Sequence, residues 1–237
     1  MECANNGSDK AKEIFCPTCK RPHQTRPGNR VKICISSSPL HDFWNSDESY
    51  EGDSVHVEYI TIPNARINEL TVAWEIQYLH DPRPMDVLLI GGLDNLQKGH
   101  KRESILRAYG HLVELVKWQE EKYHPNVQNS CGIATLYYPP KLCSFDESGL
   151  VSGRSENLLE MMMQLNADIE HLNAKSGVKV PNFKRLGIRK SVKGSRKTRH
   201  RWEHWEGEDP KVAIQLRRDQ RLKMVSQVGK YFKHETF

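Results

Sequence analysis

Residues 31–44, Val-Lys-Ile-Cys-Ile-Ser-Ser-Ser-Pro-Leu-His-Asp-Phe-Trp, constrain the fold more than any other stretch. Val31, Ile33 and Ile35 alternate, with Cys34 tolerant of burial between them, and this period of two predicts a strand entering a core. Three serines follow, then Pro39, which suits the first turn of a helix because its missing N–H would have no partner there. The order is therefore strand, serine turn, helix. A hydroxyl on such a turn stands at the carboxyl edge of a sheet beside a helix N-terminus. Open α/β sheets bind ligands there, and the helix dipole favours a developing anion. The same residues also read as a serine-capped helix without a ligand, since serine is a preferred N-cap.

The rest of the chain repeats this alternation. Residues 55–62 alternate and are β-branched, which predicts a second strand. Ile67, Leu70, Trp74 and Tyr78 fall at helical spacing within 65–79. The run 86–90, Asp-Val-Leu-Leu-Ile, has the continuous apolar character of a parallel strand buried on both faces, and Gly91-Gly92-Leu93-Asp94-Asn95 turns the chain after it. A long helix is predicted over 101–123, with Ile105, Tyr109, Leu112, Leu115, Val116 and Trp118 available to one face. A fourth strand is predicted over 133–137, and a helix over 157–174 with Leu165 and Ile169 inward. A weak fifth strand follows near 178–188, and a last helix over 216–232 with Leu222, Val225, Val228 and Phe232 inward. Strands and helices alternating in this way predict a doubly wound, three-layer α/β/α sheet of about five parallel strands with right-handed crossovers.

A chain of 237 residues holds one full α/β core and a little more. No run approaches the roughly 18 apolar residues that span a membrane. The start, Met-Glu-Cys-Ala-Asn-Asn-Gly, has no apolar core of a secretory signal, so an intracellular protein, cytoplasmic or nuclear, is expected and a disulfide framework is not. Residues 1–30 are polar and form a separate segment ahead of an α/β domain over 31–237. Within them Cys16, Cys19 and His23 have the spacing of a zinc half-site, with Cys3 the candidate fourth ligand; a metal-free tail is the other reading. No cofactor is expected for the α/β domain.

In this order of blocks the chain resembles the SGNH hydrolase family, also called GDSL esterases and lipases, from about residue 31 to 232. The resemblance implies a flavodoxin-like fold and serine ester hydrolysis of a small acyl ester. Ser36-Ser37-Ser38 stands where the family has Gly-Asp-Ser, so Ser38 matches the nucleophile. Asn64 stands nearest the oxyanion glycine of the second block. Gly92-Leu93-Asp94-Asn95 stands at the third block, Gly-x-Asn-Asp, with the two polar residues exchanged. At the last block, Asp-x-x-His, Val212 takes the aspartate place and Gln215 the histidine place.

The nucleophile position and the third-block glycine thus persist, and the rest of the machinery does not. Ester hydrolysis by serine needs a base that takes the hydroxyl proton and returns it to the leaving group, and glutamine does neither. A carboxylate at Asp94 repels the negative charge that an asparagine would stabilise; Asn95, one place on, could supply the amide if the turn is shifted. His200 and His204, with Glu203, Glu206 or Asp209 to orient one of them, are the substitute bases the sequence offers. A degraded, non-catalytic binding or scaffold domain is the first expectation and an active esterase or deacylase using Ser38 the second.

A third expectation comes from charge. Residues 184–201 hold Lys184, Arg185, Arg189, Lys190, Lys193, Arg196, Lys197, Arg199 and Arg201 and no acid. The chain has 35 bases and 30 acids, so the remainder has 26 against 30 and is net acidic. Trp202 and Trp205 follow directly. A basic run with adjacent tryptophans suits single-stranded nucleic acid or another polyanion; a solvated loop is the alternative. SGNH-like domains also occur in the open-reading-frame proteins of retroelements, a setting that would fit a cysteine/histidine segment and a basic loop.

Overall fold

The computed structural model describes residues 30–37, 57–137, 156–184, 186, 188–189, 199–200 and 218–233. Four parallel strands make the main sheet: β1 (Val31–Ser36), β2 (Glu58–Thr61), β3 (Met85–Ile90) and β4 (Ser130–Ile133), in the spatial order β2-β1-β3-β4. Ile33 pairs with Val87 on one side of β1, and Ile35 with Ile60 on the other. The helices are α1 (Ile67–Tyr78), α2 (Leu93–Gln97), α3 (Arg102–Tyr123), α4 (Glu156–Lys175) and α5 (Arg218–Phe232).

The pleat of the strands divides the core in two. Val31, Ile33, Ile35, Met85, Val87 and Leu89 pack with Trp74 of α1, Tyr109 and Leu112 of α3, and Met162, Leu165 and Ile169 of α4. Cys34, Leu88 and Ile90 point the other way, onto Phe183, Leu186 and α5 through Met224, Val228 and Phe232. Successive side chains of β1 and β3 therefore serve opposite faces, as the period of two requires. Both faces are covered, which gives the three layers.

The structure corrects several sequence expectations. β4 spans Ser130–Ile133, earlier than the expected 133–137, and at Gly132 a Cβ would collide with Val180 and Tyr231. Residues 178–184 form no strand beside it. Instead Asn173 and Asn166 of α4 bond the outer backbone edge: Asn173 Oδ1 accepts from Ile133 N (3.0 Å), its Nδ2 donates to Ile133 O (2.8 Å), and Asn166 does the same at Leu136. Two side-chain amides seven residues apart on one helix face thus take over the hydrogen bonds that a fifth strand would make there. Ile188–Arg189 pairs antiparallel with Arg199–His200 in a separate small sheet. The turn expected after β3 contains the short helix α2.

Trp118 is 42% exposed, with Lys122 Nζ 4.5 Å over its ring, and Gln119 takes the inward place. Leu222 is likewise exposed, and Met224 lies inward instead. The helix expected after Pro39 lies outside the described residues. No helix among the described residues is long and apolar enough to cross a membrane.

Candidate functional site

The strand order reverses direction at β1: the chain goes from β1 to β2 on one side, then crosses through α1 to β3 on the other. The crevice outside the carboxyl ends of β1 and β3 is the topological switch point, where open α/β sheets bind ligands. The structure brings the end of the serine turn and the third-block residues together there. Ser37 N donates to Ile90 O (3.1 Å) and Ile62 N to Ser36 O (3.0 Å), so the ladder runs to the last residue before the turn.

The turn after β3 is shaped by its glycines. Gly92 has φ 117, in the left-handed region, and a Cβ there would collide with the Tyr109 hydroxyl. That hydroxyl donates to Gly91 O at 2.7 Å, so the buried Tyr109 moulds the turn from below. The turn delivers Asp94 in the first turn of α2, 9% exposed, and its carboxylate accepts a hydrogen bond from the hydroxyl of Ser37, itself 8% exposed. Burial pushes the Asp94 carboxyl above the usual carboxylate range, against the opposing pull of the Ser37 hydrogen bond and the Lys98 charge.

Asn95 is also buried, and its Oδ1 accepts from Ile67 N at 3.0 Å. It therefore caps α1, and Asp94 is the third-block residue hydrogen-bonded to the serine turn. Asn64 adopts left-handed backbone, φ 60, a conformation asparagine tolerates better than most residues, and its carbonyl accepts from Lys98 Nζ at 2.9 Å.

Ser37, Lys98 and Tyr109 were not singled out from sequence. Ser37 was hidden in a triplet whose register only the sheet decides. Lys98 follows Asp94 by four residues, a helical spacing that would have pointed to it. Tyr109 has the pattern of a core residue, and only its hydroxyl serves the turn.

Ser38, His204, Val212 and Gln215 lie outside the described residues, as do Cys3, Cys16, Cys19 and His23. Among the described residues no group of three or more His, Cys, Asp or Glu could hold a metal ion. Cys34 and Cys131 are buried free thiols, and burial pushes Cys131 up to about 12. Of the basic run, Lys184 pairs with Glu170 of α4. Arg189, Arg199 and His200 fall on the small antiparallel pair. Arg185, Lys190, Lys193, Arg196, Lys197, Arg201, Trp202 and Trp205 lie outside the described residues.

No family model and no curated protein matches the chain. Solved structures do. A candidate acylhydrolase from Bacteroides fragilis NCTC 9343 matches with a TM-score of 0.59 at 10% identity, over 92% of this chain and 92% of that one. A member of the lipolytic protein G-D-S-L family from Veillonella parvula DSM 2008 matches with a TM-score of 0.45 at 12% identity, over 67% of this chain and 80% of that one. The chain thus shares the fold of the candidate acylhydrolase, a three-layer α/β/α arrangement on a parallel sheet.

Proposed function

We propose that the chain is an SGNH-hydrolase-like domain that serves as a binding or scaffold module, its ester hydrolysis impaired. One observation carries this reading: a carboxylate, Asp94, hydrogen-bonds the serine turn where acyl transfer needs a donor aimed at the oxyanion. Loss of a single oxyanion donor costs on the order of 10²–10³ in rate, and replacement by an acceptor adds repulsion to that loss. The glutamine at position 215 supports the same reading, because it supplies no base. The expected outcome is little turnover of short p-nitrophenyl esters by the purified protein, unchanged by Ser38→Ala or Ser37→Ala. Robust turnover that vanishes in either variant would replace the scaffold reading with a serine esterase.

A second reading, contact with single-stranded nucleic acid or another polyanion, gains support from the small antiparallel pair. Pairing of Ile188–Arg189 with Arg199–His200 draws together the ends of the segment that holds Lys190, Lys193, Arg196 and Lys197. If about four cations meet phosphates, log K against log salt should fall with a slope of about −3 on a single strand. Replacing Arg196, Lys197, Arg199 and Arg201 with serine should flatten that slope. A slope unmoved by the replacements, or no binding at low salt, would reduce the run to a solvated loop.

A further inference from the structure

Two turns border the carboxyl edge beside Ser37, and one short helix ties them together. The first, between β2 and α1, holds Asn64 in its left-handed conformation; the second, between β3 and α2, delivers Asp94. Asn95 of α2 accepts from Ile67 N at the start of α1, and Lys98, the residue that ends α2, donates from Nζ to Asn64 O at 2.9 Å. The ties run in opposite directions, one a carbonyl receiving and one an ammonium giving. Lys98 N also donates to Asp94 O at 3.1 Å, which sets the lysine one helical turn beyond the carboxylate.

The charged and titratable groups acting on Asp94 come from two of the elements around it: Lys98 at the end of its own helix and Glu69 on α1, with the hydroxyl of Ser37, just past β1, as hydrogen-bond donor. Glu69 is itself engaged by Arg66, through Nη2 at 3.0 Å and the backbone N–H at 2.7 Å. Lys98 is therefore the cation among the groups acting on Asp94; its charge reaches Glu69 as well, and its hydrogen bond goes to a backbone carbonyl.

We propose that Lys98 is the positioning residue of this edge: one ammonium holds the Asn64 carbonyl, and with it the left-handed turn, while its charge offsets the Asp94 carboxylate. A single side chain then both braces the left-handed turn and lowers the Asp94 carboxyl against the pull of burial. A hydrogen bond from an ammonium to a carbonyl is stronger than a neutral one, which suits it to hold a backbone conformation that few residues adopt freely. A cation one turn away favours the ionised carboxylate, so removing it favours the neutral form. The inference takes the carboxyl edge as the working edge, as in the reading above, but its test does not depend on hydrolysis.

The test is NMR on the full chain, following the Asp94 carboxyl carbon through a pH titration and the Asn64 amide through its coupling to Hα and its chemical shift. Lys98 is exposed, so Lys98→Met, which keeps the aliphatic stem, leaves the core intact. In that variant the Asp94 midpoint should move up and the Asn64 signals should leave their wild-type positions. Lys98→Arg should restore both. A Lys98→Met protein in which either the Asp94 midpoint or the Asn64 signals stay at their wild-type values overturns the proposal, since one residue is held to govern both.

Discussion

The two ends of the same parallel strands treat buried polar groups differently. At the amino end they are locked in pairs. Asp86, fully buried, accepts from Arg30 Nη1 at 2.7 Å and from Ser130 Oγ at 3.0 Å, and Tyr231 Oη donates to Val87 O at 2.9 Å. Tyr78 donates to Glu58 at 2.5 Å. Asp81 faces the guanidinium fork of Arg83. At the carboxyl end, buried Asp94 has a serine hydroxyl and a lysine charge that is bonded elsewhere.

The two aspartates make the contrast sharp. Burial pulls Asp81 upward, but the Arg83 hydrogen bonds outweigh it and hold the carboxyl below its usual value. Burial pulls Asp94 upward and is not outweighed. A carboxylate that a fold compensates fully is part of its framework. One left under-compensated stands here in the crevice at a switch point, where open α/β sheets bind ligands.

The largest effect expected from breaking this contrast lies at the amino end. Asn129 is buried among backbone and side-chain partners: its Oδ1 accepts from Met85 N at 2.8 Å, and its Nδ2 donates to Val116 O at 3.1 Å and to Gln119 Oε1 at 2.7 Å. Asn129→Leu keeps the volume and leaves Met85 N without its acceptor, while Gln119 Oε1 keeps His124 Nε2 and Val116 O lies within α3. A buried group without a partner costs about 1–3 kcal/mol, so the loss should be about 2 kcal/mol. Urea denaturation should show it as a lower midpoint with the slope unchanged. A loss below about 1 kcal/mol would mean that this end is not locked as described.

How much of this was legible beforehand follows the same division. The strands and helices were readable because β1, β3, α3 and α4 bury faces at the periods their sequences carry, as Ile33, Val87, Leu112 and Leu165 show. The edge of β4 was not. Asn166 and Asn173 are polar residues on a helix, and nothing in their spacing says that they bond a strand backbone forty or thirty residues away in sequence. Exposed Trp118 and buried Gln119 exchange the places that hydrophobicity assigns them, because Gln119 bonds the carbonyls of Asp81 and Arg83. At the site, the third block was found from the glycines and Asp94. The partner hydroxyl, Ser37, depends on register, which residue types do not encode, whereas the cation, Lys98, stands at a helical spacing from Asp94 but reaches Asn64 only through a turn's conformation.

The smallest effect, and the most telling for the comparison, is expected at Asp94. Its folded carboxyl titrates above the unfolded one, so protonation favours the folded state. The stability it brings is fully present below the unfolded value and is lost as pH rises through the folded value. At neutral pH the wild type therefore carries the cost of a buried charge. Asp94→Asn is nearly isosteric, and its Oδ1 still accepts from Ser37, so the hydrogen bond stays and the charge goes. A gain on the order of 0.5–1 kcal/mol at neutral pH is expected, narrowing as pH falls into the ordinary carboxylate range. Asp81→Asn should differ in sign: its folded carboxyl is held low, so the wild type is the more stable at neutral pH and the gap closes in acid. Thermal melts of both variants against wild type at neutral and acid pH decide the matter. The two should approach the wild type from opposite sides as pH falls. Equal signs at neutral pH would show that the carboxyl end compensates its buried aspartate as fully as the amino end does.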